Sequence, residues 1–209
     1  MPKPPTTKEL LLESACQIFA EKGFREATVA EICEAAGANI AAVNYHFGDK
    51  EKLYDAVWHC AFLLSTQTYP LEANLPENPS IEDYLHGYAS AILHRIFSED
   101  KNGLFAKLLH REMASPTLAL GKIAKDYLVP QSQHITRVVE KVLGTDGDEA
   151  LLALCRHSII GQCAFYNFSR PLRQQMIGRE TMTEQEIDRT ARHIARFSLG
   201  GLNAIKECL

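Results

Sequence analysis

The chain has 209 residues, 46% of them hydrophobic, which suffices for a proper core and excludes a disordered polymer. Its formal net charge of −4 excludes a protein that holds nucleic acid through a broadly basic surface, so any such contact must be local. The six cysteines, Cys16, Cys33, Cys60, Cys155, Cys163 and Cys208, form no CxxC pair and no zinc-site or disulfide-scaffold spacing, which fits reduced thiols in a cytoplasmic protein.

Taken in chain order, the apolar residues recur with helical periodicity and no run of alternating β-branched residues interrupts them, so the predicted fold class is all-α. The opening MPKPPTTKELLLESA meets charges before any apolar run reaches signal-peptide length, and no leader is expected. From about Thr7, the residues Leu10, Leu11, Ala15, Ile18 and Phe19 predict a first helix that Gly23 stops after Lys22. Thr28 with Glu31 three residues on is a capping box that opens a second helix, which ends at Gly37. Asn39 caps a third, short segment from Ile40 to Phe47, and the two short helices with their turn have the size of a helix-turn-helix. A longer helix starts at Gly48-Asp49-Lys50, carries Leu53, Tyr54, Val57, Trp58, Ala61 and Leu64, and ends near Tyr69-Pro70. Pro70 to Ser80, rich in Pro and Asn, reads as a seam between two domains. The division expected is a DNA-binding domain over 1–52, a connecting helix over about 50–69, and a helical domain over 70–209. That second domain should hold helices at about 81–98, 102–114, 117–143, 148–169 and 184–207. Ser115-Pro116, a turn from Gly144 to Gly147 and a loop from Pro171 to Thr183 separate them. The most apolar stretch, Leu151 to Phe168, carries Arg156, His157, Gln162 and Asn167, each costly at mid-bilayer, so it reads as a buried helix and no membrane partner is expected.

In a helix-turn-helix the second helix meets base edges in the major groove while helix ends and flanking residues hold phosphates. Here that helix presents Asn39, Ile40, Ala41, Ala42, Asn44, Tyr45 and His46. Asn can bond adenine in bidentate fashion and a small residue can pack on a thymine methyl, which makes Asn44 and Ala42 the candidate base readers. Thr28, Tyr45, His46 and Lys50 suit phosphates. Residues 1–58 nevertheless hold six basic and nine acidic side chains, a net of −3, so binding would rest on backbone amides at helix starts and a few cations.

Four runs carry a family likeness: Ile18-Phe19-Ala20-Glu21-Lys22-Gly23-Phe24, Ala27-Thr28-Val29-Ala30-Glu31-Ile32, Ala35-Ala36-Gly37-Ala38, and Val43-Asn44-Tyr45-His46-Phe47-Gly48-Asp49-Lys50-Glu51-Lys52-Leu53. Over about 50 residues they resemble the DNA-binding domain of the TetR family. The resemblance implies that Tyr45, His46 and Lys50 contact the DNA backbone, that Thr28 caps its helix and touches a phosphate, and that Phe47 wedges the recognition helix against its core. The Ser or Thr commoner near the start of that helix is replaced here by Asn39-Ile40-Ala41-Ala42, so base preference does not carry over. Further on, Gly103-Leu104-Phe105, Leu109-His110-Arg111-Glu112-Met113, Pro116-Thr117 and Ser158-Ile159-Ile160-Gly161-Gln162 resemble the CecR-type C-terminal domain, which implies a helical ligand domain and a dimer.

Periodicity also argues for a homodimer. The segment 148–169 is apolar on more than one face, and 184–207 carries a stripe at Ile187, Ala191, Ile194, Ser198, Leu202 and Ile205 beside a second surface of Phe197, Gly200, Gly201 and Ala204. Two such helices from each chain make a four-helix interface, and the alternative is that both fill a monomeric core. For an unidentified small-molecule effector the candidate pocket residues are Phe105, Arg111, His157, Gln162, Phe165 and Tyr166, with core or surface roles as the alternative for each. No cofactor is expected: neither a nucleophile elbow, a P-loop nor a dinucleotide fingerprint appears, and Glu82 with His86 or His110 with Glu112 makes no paired metal motif. Cys155 and Cys163 lie about 12 Å apart along one helix, too far to bridge. The function expected is a repressor of transcription released from operator DNA by its effector; an activator or a corepressor-dependent protein would carry the same sequence.

Overall fold

The computed structural model describes residues 4–73, 75–144 and 148–209, and every regular element among them is helical. Helix α1 (Thr7–Glu26) begins where Thr6 can cap it: the Thr6 hydroxyl accepts the Glu9 amide, and the Glu9 carboxylate accepts the Thr6 amide. This reciprocal pair satisfies amides that no helical carbonyl can reach. The backbone leaves helical geometry at Gly23 (φ 78°, ψ 173°), where the sequence placed the stop. Helix α2 (Val29–Ala35) opens on the same device, built from Thr28 and Glu31. The turn after it passes through Gly37 at φ 61°, a left-handed conformation that a Cβ-bearing residue adopts only at a cost of about 1 kcal/mol. Asn39 then caps α3 (Ile40–His46) by accepting the Ala42 amide at 3.0 Å, and α4 (Lys50–Thr68) follows.

Beyond the Pro-rich segment stand α5 (Ile81–Phe97), a 3₁₀ turn at Lys101–Gly103, and α6 (Leu104–Ala114). The helix expected over 117–143 is instead α7 (Leu120–Ile123), a wide π turn at Ala124–Leu128, and α8 (Val129–Leu143). Pro130 explains the break, since it lacks an amide proton and its ring collides with the preceding turn unless it sits at a helix start, where it is found. Helix α9 (Glu149–Phe168) matches expectation, and the expected turn between α8 and α9 lies, beyond Gly144, outside the described residues. The expected Pro171–Thr183 loop contains α10 (Arg170–Ile177), for which Pro171 again serves as a starter and Gly178 as a left-handed stop. Helix α11 (Glu184–Lys206) opens on a further capping box, Thr183 with Glu186.

Contacts divide the chain into two units, one of residues up to Ser65 with Asp100–Ile123, the other of Thr66–Glu99 with Ala124–Leu209. Residues Asp100–Ile123 belong to the first unit because α6 packs along α1. Its core runs through a file of aromatic rings: Phe19 meets Tyr54 with centroids 4.8 Å apart, Tyr54 meets Trp58 at 5.9 Å, and Trp58 meets Phe105 at 5.5 Å, all edge-on. Beside that file Glu112 is only 2% exposed. It accepts three hydrogen bonds from neutral donors: the Tyr54 hydroxyl at 2.9 Å, and the Thr117 amide and hydroxyl, each at 2.7 Å. Burial, followed by the Glu112 charge, raises the Tyr54 phenol well above its ordinary pKa, so it stays a donor.

In the second unit α5 is the central helix and packs on α8, α9 and α11 through Leu85, Leu93, Ile135, Val139 and Ile194, all nearly inaccessible. Arg95, 5% exposed, donates from Nε and Nη2 to the Tyr69 carbonyl at 3.0 and 2.6 Å and from Nη1 to Gln131 Oε1 at 2.6 Å. Burial lowers its pKa to about 10. No helix among the described residues is long and apolar enough to cross a membrane.

Candidate functional site

Helix α3 is held by one buried side chain, Val43, and turns most of its remaining surface outward. Asn39, Asn44 and Tyr45 are exposed, Tyr45 by 85%, while Ala42 and His46 are half-buried. The Tyr45 and His46 rings meet edge-on with centroids 4.9 Å apart, which preorganises the phenol at the end of the helix. Lys50, half-buried at the first position of α4, lies with its ammonium 4.5 Å from the centroid of the Phe24 ring. Asn39 uses its carbonyl oxygen as the cap, which leaves its amide NH₂ as the group for an outside acceptor. Thr28 is exposed at the start of α2, but its hydroxyl already donates to Glu31 at 2.9 Å and accepts the Glu31 amide at 3.2 Å. Its free role there is thus to fix the helix start.

The acidic balance of this region is partly cancelled on site. Lys22 reaches Glu31 at 2.6 Å and Lys52 reaches Asp49 at 3.1 Å. The Lys22 hydrogen bond, with those from Thr28, lowers the Glu31 pKa to about 2, and the Lys52 amide and ammonium lower that of Asp49. Both carboxylates are neutralised by their own neighbours.

The six candidate effector residues are divided between the two units. Phe105 and Arg111 belong to the first unit, where Phe105 is core against Trp58 and Phe62 and Arg111 is exposed. His157, Gln162, Phe165 and Tyr166 belong to the second, along α9. There His157 and Phe165 are exposed, and Gln162 donates to the Ser158 carbonyl and, at 3.0 Å, to the Ser198 hydroxyl of α11. None of the six lines the cavity of about 370 Å³ that the second unit forms between the segment after α4 and the side of α5. Its walls include Tyr69, Pro70, Leu75, His86, Ser90 and His94. Gly87 makes it possible: a Cβ there would stand 3.0 Å from the Leu71 carbonyl and push the segment off the helix. The two histidines also face α11, His86 Nε2 lying 3.2 Å from Asp188 and His94 Nε2 2.9 Å from Glu184. The sequence signal for this wall is His86 and His94 on one side of a helix that follows a Pro-rich segment.

The inward stripe expected on α11 is buried at Ile187, Ala191, Ile194, Ser198 and Leu202. Its second surface is left open, with Phe197 67% exposed beside Gly200, Gly201 and Ala204. On α9, Phe165 is 62% exposed and Leu154 and Phe168 are exposed as well.

Residues 11–57 match the family of bacterial regulatory proteins called tetR, and residues 81–202 match the C-terminal domain of the HTH-type transcriptional dual regulator CecR. CecR of Shigella flexneri is 28% identical over 172 residues, covering 78% of this chain and 76% of that protein. The repressor AcnR of Corynebacterium efficiens is 46% identical over 55 residues, 26% of this chain and 29% of that protein. Among solved structures, the fatty acid degradation regulator FadR from Bacillus halodurans superposes with a TM-score of 0.69 at 14% identity, covering 96% of this chain and 98% of that one. FadR from Bacillus subtilis, in complex with stearoyl-CoA, gives the same TM-score of 0.69 at 14% identity over 92% and 97%, and likeness at that identity speaks for the fold alone. A matched head, a matched C-terminal domain over more than half of the sequence, and an all-helical fold shared with such regulators lead to one conclusion: the chain belongs to the TetR family of bacterial transcriptional regulators, with a C-terminal domain of the CecR type.

Proposed function

We propose that the chain represses transcription as a homodimer, binding a two-fold symmetric operator through α3 and releasing it when a small molecule occupies the second unit. The observation that carries the reading is α3 itself: a capped helix anchored by Val43 with Asn44 and Tyr45 turned outward beside Lys50. Asn44 and Ala42 read bases, Tyr45, His46 and Lys50 hold phosphates, the Asn39 amide donates to an outside acceptor, and Thr28 fixes the start of α2. The exposed faces of α9 and α11, with Phe165 and Phe197 at their centres, pack against the same faces of a second copy. The effector enters the cavity beside α5, where an aromatic and proline wall supplies apolar area and His86, Ser90 and His94 supply polar contacts. A ligand that draws His86 and His94 away from Asp188 and Glu184 loosens α5 from α11, the helix that bears the dimer face. Linkage then requires that operator and effector weaken each other's binding to the same extent. That AcnR is a repressor and that a FadR holds stearoyl-CoA supports the two halves of this reading; that CecR is a dual regulator favours, as a second reading, activation at some promoters.

The test is an anisotropy titration of the purified protein against DNA from upstream of its own gene, across several salt concentrations and with scrambled competitor. Competitor-resistant binding with a shallow salt dependence, about 0.9 in log–log slope per neutralised phosphate, is expected for so few cations. Binding that the scrambled DNA abolishes would refute operator recognition.

A further inference from the structure

The cavity beside α5 has two unlike ends. At one of them stands His94, whose Nδ1 lies 2.7 Å from the Ser90 carbonyl oxygen and whose Nε2 lies 2.9 Å from a Glu184 carboxylate oxygen. A carbonyl oxygen carries no proton, so Nδ1 must donate. The Glu184 side chain is 84% exposed, hence ionised in water, and carries none either, so Nε2 must donate as well. A ring that donates from both nitrogens is an imidazolium. It is largely buried, and its face stacks on the Tyr69 ring with centroids 5.2 Å apart. The backbone carbonyl of the same Tyr69 accepts from the buried Arg95 guanidinium, which also donates to the neutral Gln131. Two cations thus flank Tyr69, and the carboxylate paired with His94 lies out in solvent. Asp83 marks the other end of the cavity, eleven residues or about 16 Å back along α5. Its carboxylate is engaged there by the Ser80 amide and hydroxyl at 2.8 and 2.7 Å. The rest of the wall includes Pro70, Leu75, Pro76 and Ala91 and is largely apolar.

Resting on the reading that the effector occupies this cavity, we propose that the effector is an apolar monocarboxylic acid whose carboxylate replaces that of Glu184 on His94 Nε2. Its apolar body lies against Leu75 and the two prolines. The site already holds a carboxylate on this nitrogen, so the head group copies a contact that the chain makes with itself. A charge-assisted hydrogen bond is stronger where water is excluded, and Glu184 makes its bond in the open, which favours an enclosed competitor. An amine in the same place would face two cations, and an alcohol would accept the proton but leave the charge unanswered. The exchange also has a regulatory consequence. Glu184 is the first residue of α11, so its displacement frees the start of that helix from α5.

The experiment titrates the full chain by calorimetry with octanoate, octan-1-ol and octylamine. Octanoate is expected to bind about tenfold tighter than octan-1-ol, the factor that a hydrogen bond between charged groups supplies, and octylamine to bind least. His94→Gln should bring octanoate down to the level of octan-1-ol and leave octan-1-ol unchanged. Glu184→Gln, a change to an exposed side chain, should tighten octanoate and not octan-1-ol, because the competing carboxylate is gone. That variant decides the matter even where the His94→Gln protein does not fold. Ala73→Trp, which fills the cavity from its irregular wall, should abolish binding of all three. Equal affinity for octanoate and octan-1-ol, octanoate binding indifferent to Glu184→Gln, or no binding of any of the three overturns the carboxylic-acid assignment. Loss of binding in the Ala73→Trp protein would then still mark the cavity as a ligand site, whereas binding that survives Ala73→Trp overturns the cavity reading and the assignment together.

Discussion

Among the described residues each unit buries one Glu or Arg side chain, Glu112 in the first and Arg95 in the second, and the two are handled in opposite ways. Glu112 in the first unit is an anion that collects donors, the Tyr54 hydroxyl and both polar groups of Thr117, and so pins α6 and the segment after it to α4. Arg95 in the second is a cation that distributes donors to the Tyr69 carbonyl and Gln131, and so pins the segment after α4 to α5 and α8. Neither of these bonds involves an opposite charge. A buried ion met by neutral dipoles tolerates little displacement, because each dipole must be at hydrogen-bond distance and a long-range Coulomb attraction does not compensate for a poor fit. The teaching of the pair is that both ends of the chain's central helical stretch are fixed by geometry rather than by charge balance.

The comparison can be broken most forcefully at Glu112. Replacing it with Ala leaves the buried Tyr54 hydroxyl and the part-buried Thr117 amide without their acceptor, for an expected loss of about 3 kcal/mol in urea unfolding, with Glu112→Gln losing distinctly less. Arg95→Met should lose about 2 kcal/mol, because the long apolar side chain fills the space while the Tyr69 carbonyl and Gln131 lose their donors. A larger loss at Arg95 than at Glu112 would reverse the ranking. The surface of the first unit should behave unlike its core. Tyr45→Ala is expected to weaken operator binding about tenfold on every sequence while moving stability by less than about 0.5 kcal/mol, and Asn44→Ala should change which sequence is preferred, measured against a panel of single-base operator variants. The smallest effect is at the start of α2. Thr28→Ala should lose about 1 kcal/mol of stability. The Glu31 side of that cap should fade with acid. Its folded pKa, about 2, lies below the ordinary 4.5, so the contribution is complete above 4.5 and disappears as the pH falls toward 2, which the amide shifts of Val29 to Ile32 would report.

The head was readable because everything that fixes it is local: a Thr or Asn cap, a Glu three residues on, a Gly at each stop. The same kind of local signal is present at Pro130 and Pro171, where a proline that interrupts the apolar pattern starts a helix. What the sequence could not supply were pairings across long separations. The joining of Tyr54 to Glu112 and of Arg95 to Tyr69 and Gln131 depends on how helices pack, and no spacing rule reaches that far. For the same reason the cavity beside α5 is not legible in the sequence: its wall is a side of α5 and an irregular segment that only the packing brings together.

The reciprocal caps have a consequence in time. Beginning a helix is the unfavourable step of its formation, and a cap completed within three residues lowers that barrier before any distant contact exists. Helices α1 and α2 carry such caps, and all the chain that the first unit needs has been synthesised once Ile123 has emerged from the ribosome. The second unit depends on α11 packing against α5, so it waits for nearly the whole chain. During synthesis the unit that holds the helix-turn-helix can therefore assemble first, while the second unit is still incomplete.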